Sequence, residues 1–181
     1  MDLKVNKKRR RAGLTEAWAP DDFCVANGAS LWYERESGEF LERREAMRQT
    51  VQVRTTTSSE MIDITHRVQE AVDRAGVKDG ICVIFVPHTT AAVTINENAD
   101  PNVAKDILAE LGKVVPLQDR YQHVEGNSAA HIKASLVGCS EAVFVESGRL
   151  VLGTWQAIFF CEFDGPRNRT VQVKVLGGAE G

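Results

Sequence analysis

Two short stretches of this chain concentrate side chains that can donate, accept or transfer protons. The first runs from residue 88 to residue 100, and the second from residue 121 to residue 131. Together they hold three of the four histidines. Polar groups near an apolar core are costly unless they are paired or bind something, because they lose their water on burial. These stretches are therefore the first candidates for a binding or catalytic site.

Three histidines, His88, His123 and His131, are candidate metal ligands. Neutral imidazoles bind zinc and other transition metals, and three of them leave a coordination position open for water or substrate. His123 and His131 are eight residues apart, which is not the i, i+4 spacing of a helical ligand pair, so spacing alone does not establish a site. A local hydrogen-bonding role for each histidine stays open. His66 lies among polar residues and is interpreted as a surface residue.

Oxygen ligands suited to Mg²⁺ also occur in the first stretch, at Asn96, Glu97, Asn98 and Asp100. Asp100 is already explained as a helix N-cap, and the asparagines could serve a turn. Glu97 has no such structural explanation and is the stronger functional candidate. Such ligands suit Mg²⁺ especially when the ion arrives with a pyrophosphate group.

An anion site is predicted where Asn127 and Ser128 precede a helix. Free backbone N–H groups and the helix dipole attract phosphate at such a position. Lys133 could add charge there, or could simply be solvated. The signal is weaker than that of a phosphate-binding loop, because the GxxxxGK(S/T) pattern is absent.

The elements that would position these residues follow from hydrophobic patterns. Val68, Ala71, Val72 and Ala75 share one helix face, and Gly76 is the expected C-cap. Further helices are predicted after Asp100-Pro101, up to residue 112, and from residue 127 or 128 to residue 137. Strands are predicted over residues 51–57, 81–86, 142–146, 150–163 and 170–176. The strand over 81–86 is a continuous apolar run and is expected to be covered on both faces.

Irregular alternation of helices and strands, with short hairpin turns late in the chain, predicts an α+β fold with antiparallel sheet. Residues 49–181 are expected to form a single domain. Residues 1–48 carry a basic run and a mostly charged segment, and are predicted to be disordered or loosely packed. Met47 directly precedes the first clear strand, which leaves open that translation starts there.

Composition excludes several classes of function. The formal net charge of −3 gives no general attraction to nucleic acid, so nucleic-acid binding through the basic N-terminus is the weakest hypothesis. No apolar segment is long enough to span a membrane, and the basic start is not followed by an apolar signal region. The four cysteines form no CxxC pair, which argues against a zinc finger and favours a reducing cytoplasm.

Several ordered motifs over residues 49–177 resemble those of the YjbQ-like family. They are His88-Thr89-Thr90-Ala91-Ala92, Asn96-Glu97-Asn98 with Asp100-Pro101, His123…Asn127…His131, and Ser140-x2-Val143-x-Val145-x2-Gly148-x4-Gly153-Thr154-Trp155-Gln156-x-Ile158. The resemblance implies a β-sandwich-like α+β fold that assembles as a homotrimer. Apolar residues on both faces of the 150–163 strand are consistent with a second layer or a neighbouring subunit.

The resemblance also implies a secondary thiamine-phosphate synthase activity. This reaction joins a hydroxymethylpyrimidine diphosphate to a thiazole phosphate and releases pyrophosphate. His88, Glu97 and His123 would be catalytic, and the histidines would bind zinc or move protons, or magnesium would enter with pyrophosphate. Residues that would contact the substrate are Thr89, Thr90, Asn96, Asn127, Ser128, Lys133 and Gln156. Trp155 is expected to pack in the core.

Two alternatives stay open beside the synthase. A zinc site at the histidines could activate water to hydrolyse a phosphorylated metabolite. The protein could instead be a non-catalytic trimer that binds a metal or metabolite.

Overall fold

The computed structural model describes residues 48–177 and, before them, the backbone of three short strands. These strands are β1 (Phe23–Ala26), β2 (Ser30–Glu34) and β3 (Phe40–Arg44), paired antiparallel in that order. They belong to a compact unit over Met1–Glu45, separate from the unit over Ala46–Gly181. The prediction of disorder for residues 1–48 falls mostly outside the described residues.

The second unit contains two antiparallel sheets and three helices. The elements are β4 (Gln49–Arg54), β5 (Glu60–Asp63), α1 (Thr65–Ala75), β6 (Gly80–Phe85), β7 (Ala91–Glu97), α2 (Pro101–Val114), α3 (Ser128–Val137), β8 (Ser140–Glu146), β9 (Arg149–Leu150), β10 (Gln156–Glu162) and β11 (Asn168–Gly177). The larger sheet has the order β4-β11-β6-β8-β9 and the smaller one β5-β10-β7. The α+β prediction is confirmed.

The main core lies between the two sheets. Alternate residues of β4, β6, β8 and β11 point into it from the larger sheet, and Ile158 and Phe160 of β10 from the smaller one. Val68, Ala71 and Val72 of α1 belong to the same core, as their helical spacing predicts. The sheets therefore pack as a sandwich with α1 against it.

Local signals set most of the helix ends as predicted. Gly76 follows α1 with φ of 67°, a left-handed conformation that glycine adopts without a steric penalty. The Asp100 carboxylate accepts the Asn102 N–H at 2.8 Å, with proline at the start of α2. α2 continues two residues past the predicted end at Gly112. α3 begins at Ser128, and Gly138 follows its last residue.

A second cluster covers the outer face of the smaller sheet. Phe159, Cys161 and Phe163 point out of β10 and its end, against Ala130 and Ala134 of α3. Partly buried Leu108 and Leu111 of α2 pack against the same cluster. β10 is thus buried on both faces within one chain, so its apolar pattern requires no neighbouring subunit.

Two predictions of burial are wrong. Trp155 precedes β10 in a turn and is 65% exposed, because the strand begins only at Gln156. β6 is covered on one face only: Ile81 and Phe85 are 40% and 43% exposed. Within the second unit, no described helix or strand packs on the outer face of the larger sheet, where Phe144 and Leu176 are also exposed.

None of the helices described for this chain has the length and apolar character needed to cross a bilayer.

Candidate functional site

His123 and His131 meet although eight residues separate them in sequence. His123 lies in the loop between α2 and α3, and His131 is in the first turns of α3. The chain turns at Gly126, whose φ is 77°, and this turn brings the two rings to a centroid distance of 5.3 Å, nearly perpendicular. His123 Nε2 also lies 3.8 Å from a Glu125 carboxylate oxygen. Two of the three predicted histidines are therefore in ring contact.

Asn127 joins this loop to a different part of the chain. It is the N-cap residue of α3, yet its side chain makes no capping hydrogen bond. Its Nδ2 donates instead to Asp164 Oδ2 at 3.1 Å, and its buried Oδ1 has no hydrogen-bond partner among the described residues. A buried, unpaired amide oxygen is costly, so it marks a position where a donor from a ligand or water would be favourable.

Two further predicted phosphate contacts lie on α3. Ser128, the first residue of the helix, is buried. Lys133 is partly buried, and this burial lowers the pKa of its ammonium group. Backbone N–H groups at the start of α3 and the positive end of the helix dipole favour an anion beside them.

Asp164 and Arg167 lie beside Asn127 but were not identified as candidates from the sequence. Arg167 Nη2 donates to Asp164 Oδ2 at 2.6 Å, and Arg167 Nε donates to the Asp164 carbonyl oxygen at 2.7 Å. Asp164 thus receives hydrogen bonds from both Asn127 and Arg167. In the sequence, Asp164-Gly165-Pro166 has the composition of a turn. Asp164 is therefore interpreted as a turn residue and not as a candidate site residue.

A buried ion pair closes the adjoining end of the sandwich. Arg169 donates from Nε and Nη2 to the two carboxylate oxygens of Glu162, at 2.7 and 2.6 Å. Glu162 is fully buried and Arg169 is 7% exposed. Arg169 Nη2 also donates to the hydroxyl of Thr90 at 2.8 Å, and Thr55 donates to Glu162 at 3.2 Å. The predicted substrate residue Thr90 is therefore a buried partner of this pair.

Glu162 remains ionised in this environment. Burial by itself raises the pKa of its carboxyl, but the Arg169 hydrogen bonds and charge outweigh burial, with the Asp164 N–H and the Thr55 hydroxyl assisting. The pKa is therefore below its usual value. The same carboxylate accepts the backbone N–H groups of Phe163 and Asp164 at 3.1 and 3.0 Å. The charge pair thus holds the segment that carries Asp164.

His88 contacts the strand residue that follows Arg169. Its Nε2 accepts the backbone N–H of Thr170 at 3.0 Å, and Thr170 directly follows Arg169. Burial and then the positive charge of Arg169 lower the pKa of the imidazole, which favours the neutral ring. Thr89, between His88 and Thr90, is exposed.

The described residues contain no group of three His, Cys, Asp or Glu side chains that could hold a metal ion. The predicted ligand set of His88, His123 and His131 is therefore not assembled as a three-histidine centre. Only His123 and His131 are in ring contact, while His88 is engaged by Thr170.

The remaining predicted residues lie at the opposite end of the smaller sheet. Glu97 ends β7 and is directly opposite Gln156, the first residue of β10. The seven residues of β7 put Glu97 roughly 20 Å from the Thr90 end of the strand. Asn96 accepts the Glu97 N–H, and Gln156 accepts the Gly153 N–H, so both side chains make local hydrogen bonds with the backbone. Within a single chain, Glu97 is therefore far from the histidines.

Comparison with known proteins gives a consistent family match. Residues 49–178 match the family model described as UPF0047 protein YjbQ-like. The chain is 53% identical over 132 residues to the UPF0047 protein YugU of Bacillus subtilis, a match covering 72% of this chain and 100% of that protein. It is 53% identical over 126 residues to the UPF0047 protein MJ1081 of Methanocaldococcus jannaschii, covering 70% and 91%.

Solved structures agree with the sequence matches. A YjbQ/UPF0047 family protein from Clostridium acetobutylicum is 56% identical, with a TM-score of 0.70, covering 71% of this chain and 99% of that one. A YbjQ-like protein of unknown function from Sulfolobus solfataricus is 37% identical, with the same TM-score, covering 73% and 97%.

Proposed function

The chain belongs to the YjbQ-like family of UPF0047 proteins, and from this premise we propose that it binds and converts a phosphorylated metabolite at the N-terminal end of α3. The reaction we propose is thiamine-phosphate synthesis. A hydroxymethylpyrimidine diphosphate and a thiazole phosphate would be the substrates, as the family resemblance implies.

The observation that carries this proposal is the meeting of separate chain segments at one helix end. The loop before α3 supplies His123 and Asn127, α3 supplies His131, and the segment after β10 supplies Asp164 and Arg167. The unpaired Asn127 oxygen lies at their junction. An anion-binding helix end beside proton-carrying side chains suits a phosphorylated substrate.

The reaction requires these residues to align the nucleophile and to stabilise the leaving pyrophosphate. A carbon–nitrogen bond forms between the thiazole nitrogen and the methylene carbon of the pyrimidine, and the carbon–oxygen bond to the diphosphate breaks. Pyrophosphate departs with the bonding electrons, so the site must stabilise growing negative charge. The α3 N–H groups, Lys133 and Arg167 would do this, and the neighbouring side chains would align the nucleophile.

A metal-dependent step is not assigned to the histidines, because the described residues do not bring three ligands together. Magnesium carried in by the diphosphate remains part of the proposal as a property of the substrate. Glu97 remains a predicted catalytic residue, although within a single chain it lies at the end of β7 that is far from the histidines.

We propose a homotrimer, following the family resemblance. Support comes from the outer face of the larger sheet, where Leu176, Ile81 and Phe144 lie side by side in register and are all exposed. Exposed apolar patches of this kind commonly mark protein interfaces. A cytoplasmic location is also proposed, supported by the free thiols of Cys82, Cys139 and Cys161.

The test supplies both substrates with Mg²⁺ and measures thiamine phosphate and pyrophosphate in equal amounts. We expect product from the wild type and a loss of at least about a hundredfold in His123→Ala, as for removal of a proton-transfer group. His66→Ala is the matched control, since that side chain is 87% exposed on α1.

Other outcomes favour the alternatives. Phosphate release from the diphosphate without the thiazole indicates a hydrolase, and saturable binding without turnover indicates a binding protein. A coupling rate equal to that of an enzyme-free mixture would contradict the synthase proposal.

A further inference from the structure

We propose that His88 is a neutral hydrogen-bond donor through Nδ1, fixed in this tautomer by the backbone of Thr170 and positioned by the Glu162–Arg169 pair. The donor would serve an anionic oxygen of the bound phosphorylated metabolite. That last step rests on the proposed function, whereas the tautomer does not. The proposal replaces a metal-ligand or general-base role for this residue.

The first step concerns the N–H of Thr170, which the strand ladder between β6 and β11 leaves without an acceptor. In the larger sheet, β6 ends at Phe85, which is opposite Gln172 of β11. β6 does not extend to the position opposite Thr170, so no β6 carbonyl accepts the Thr170 N–H. His88 Nε2 accepts this N–H instead, at 3.0 Å.

The second step follows from imidazole chemistry. A neutral ring has one nitrogen with a free lone pair and one that carries hydrogen. Since Nε2 accepts the Thr170 N–H, Nδ1 must carry the hydrogen. A metal at Nε2 would displace the Thr170 bond, and a metal at Nδ1 would need the opposite tautomer. The Thr170 hydroxyl, 3.3 Å from Nε2, can reinforce the same arrangement.

The third step is the position of the donor. Arg169 immediately precedes Thr170, and its guanidinium holds the Thr90 hydroxyl two residues after His88. The Thr90 carbonyl in turn accepts the Phe163 N–H at 3.2 Å, next to Glu162. The segment from His88 to Thr90 is thereby connected to the buried ion pair at both ends, through Thr170 and through the Thr90 hydroxyl. Glu162 and Arg169 are therefore positioning residues.

Finally, the Nδ1–H is available. No hydrogen bond from His88 Nδ1 to another described residue is formed, and the side chain is partly exposed. A partly buried donor without an acceptor is favourable for a ligand oxygen. The class of ligand is therefore an oxyanion such as phosphate or pyrophosphate.

The tautomer is tested by nitrogen-15 NMR of the histidine rings in the full chain. We expect His88 to show a protonated Nδ1 and an unprotonated Nε2, unchanged by one equivalent of Zn²⁺. Thr170→Val keeps the N–H and should keep the tautomer, while exposed His66 provides the internal reference. In Arg169→Lys we expect the single His88 state to give way to a mixture of tautomers. An Nε2–H ring, a zinc-induced change at His88, or an unaltered signal in Arg169→Lys would overturn the inference.

Ligand binding is tested by calorimetry with pyrophosphate. Asparagine presents an amide near the Nδ1 position, whereas glutamine reaches the Nε2 position. We expect His88→Asn to keep affinity within about threefold, and His88→Gln to lose about tenfold, in line with one hydrogen bond to a charged group. Equal losses in both variants would contradict the donor role. The expected tautomer without pyrophosphate binding by the wild type would count against the proposed function alone.

Discussion

Arg169 and Glu162 form a buried two-point ion pair, with nitrogen–oxygen distances of 2.7 and 2.6 Å, across the turn between β10 and β11. Both side chains are buried. Through Thr90 on one side and the Asp164 backbone on the other, the pair connects the two loops that carry the candidate site. Stability and site geometry therefore depend on the same contact.

Removing one partner should be strongly destabilising. In Arg169→Met, the Glu162 carboxylate stays buried without its counter-charge, and we expect the free energy of unfolding to fall by roughly 3–5 kcal/mol. Urea unfolding followed by circular dichroism measures this. Adding Glu162→Gln should recover part of the loss, because the buried charge is removed while an oxygen remains for the Phe163 and Asp164 N–H groups.

An exposed ion pair provides the control for that measurement. Glu70 and Arg74 on α1 are 50% and 57% exposed and 3.9 Å apart. Arg74→Met should change the free energy of unfolding by less than about 1 kcal/mol. Equal effects in the two methionine variants would show that burial of Glu162 does not decide the stability.

Glu162 should also make the fold sensitive to acid. Its pKa is lowered in the folded protein from 4.5, so its stabilising effect is complete above about pH 4.5 and is lost as the pH falls through the lower folded value. Over that window the wild type should lose up to about 1.4 kcal/mol of unfolding free energy per pH unit more than Glu162→Gln. Urea titrations of both proteins at several acidic pH values provide the comparison, and parallel curves would contradict the prediction.

Gly165 is required by close packing. A Cβ there would lie 2.2 Å from the Thr57 carbonyl oxygen and 2.9 Å from the Thr55 hydroxyl. Because backbone is the closest neighbour, Gly165→Ala should displace the segment after Glu162 and lower stability by about 1–3 kcal/mol. Thermal and urea unfolding would measure the change, and pyrophosphate binding should weaken with it.

Gly112 serves as the matched glycine. It lies within α2, and a Cβ there would meet nothing within 4 Å. Gly112→Ala should therefore stabilise the protein by up to about 1 kcal/mol, because alanine loses less backbone freedom in a helix. If Gly165→Ala were as stable as Gly112→Ala, the packing argument would be wrong.

The outer face of the larger sheet should mediate assembly. Light scattering of the full chain should give three times its mass of 20.0 kDa. Phe144→Ser should shift the protein toward monomer, since Phe144 is 66% exposed and is the most exposed residue of the apolar row. Leu136→Ser, on α3 and 61% exposed, should leave the mass unchanged. A trimer lost only in Leu136→Ser would place the interface on the helical side.

Local features of the chain could be predicted from sequence because their causes are local. The helical spacing of Val68, Ala71 and Val72, the glycine after α1, and Asp100 before Pro101 act within a few residues. They predicted the positions and ends of α1 and α2 closely. Asn127 or Ser128 likewise marked the start of α3. The α+β class followed from the order of these elements.

Burial and long-range pairing could not be predicted in the same way. Whether Phe85 and Trp155 are covered depends on which faces the sheets present to each other, and an apolar pattern does not specify that. The separation of Glu97 from the histidines follows from the direction and length of β7. Arg169 could be recognised as a partner of Glu162 only after the packing of the two sheets was known, because β10 and β11 belong to different sheets.

What the sequence determined by itself was the three helices of residues 48–177, most of the strands there, the fold class and the family, since periodicity, caps and motifs are properties of neighbouring residues. Only the tertiary structure decided the site: that Asn127 meets Asp164, that His123 meets His131, and that Thr170 engages His88. These contacts join segments up to 82 residues apart. Their geometry depends on strand register and sheet packing, which arise when the whole chain buries its apolar surface together.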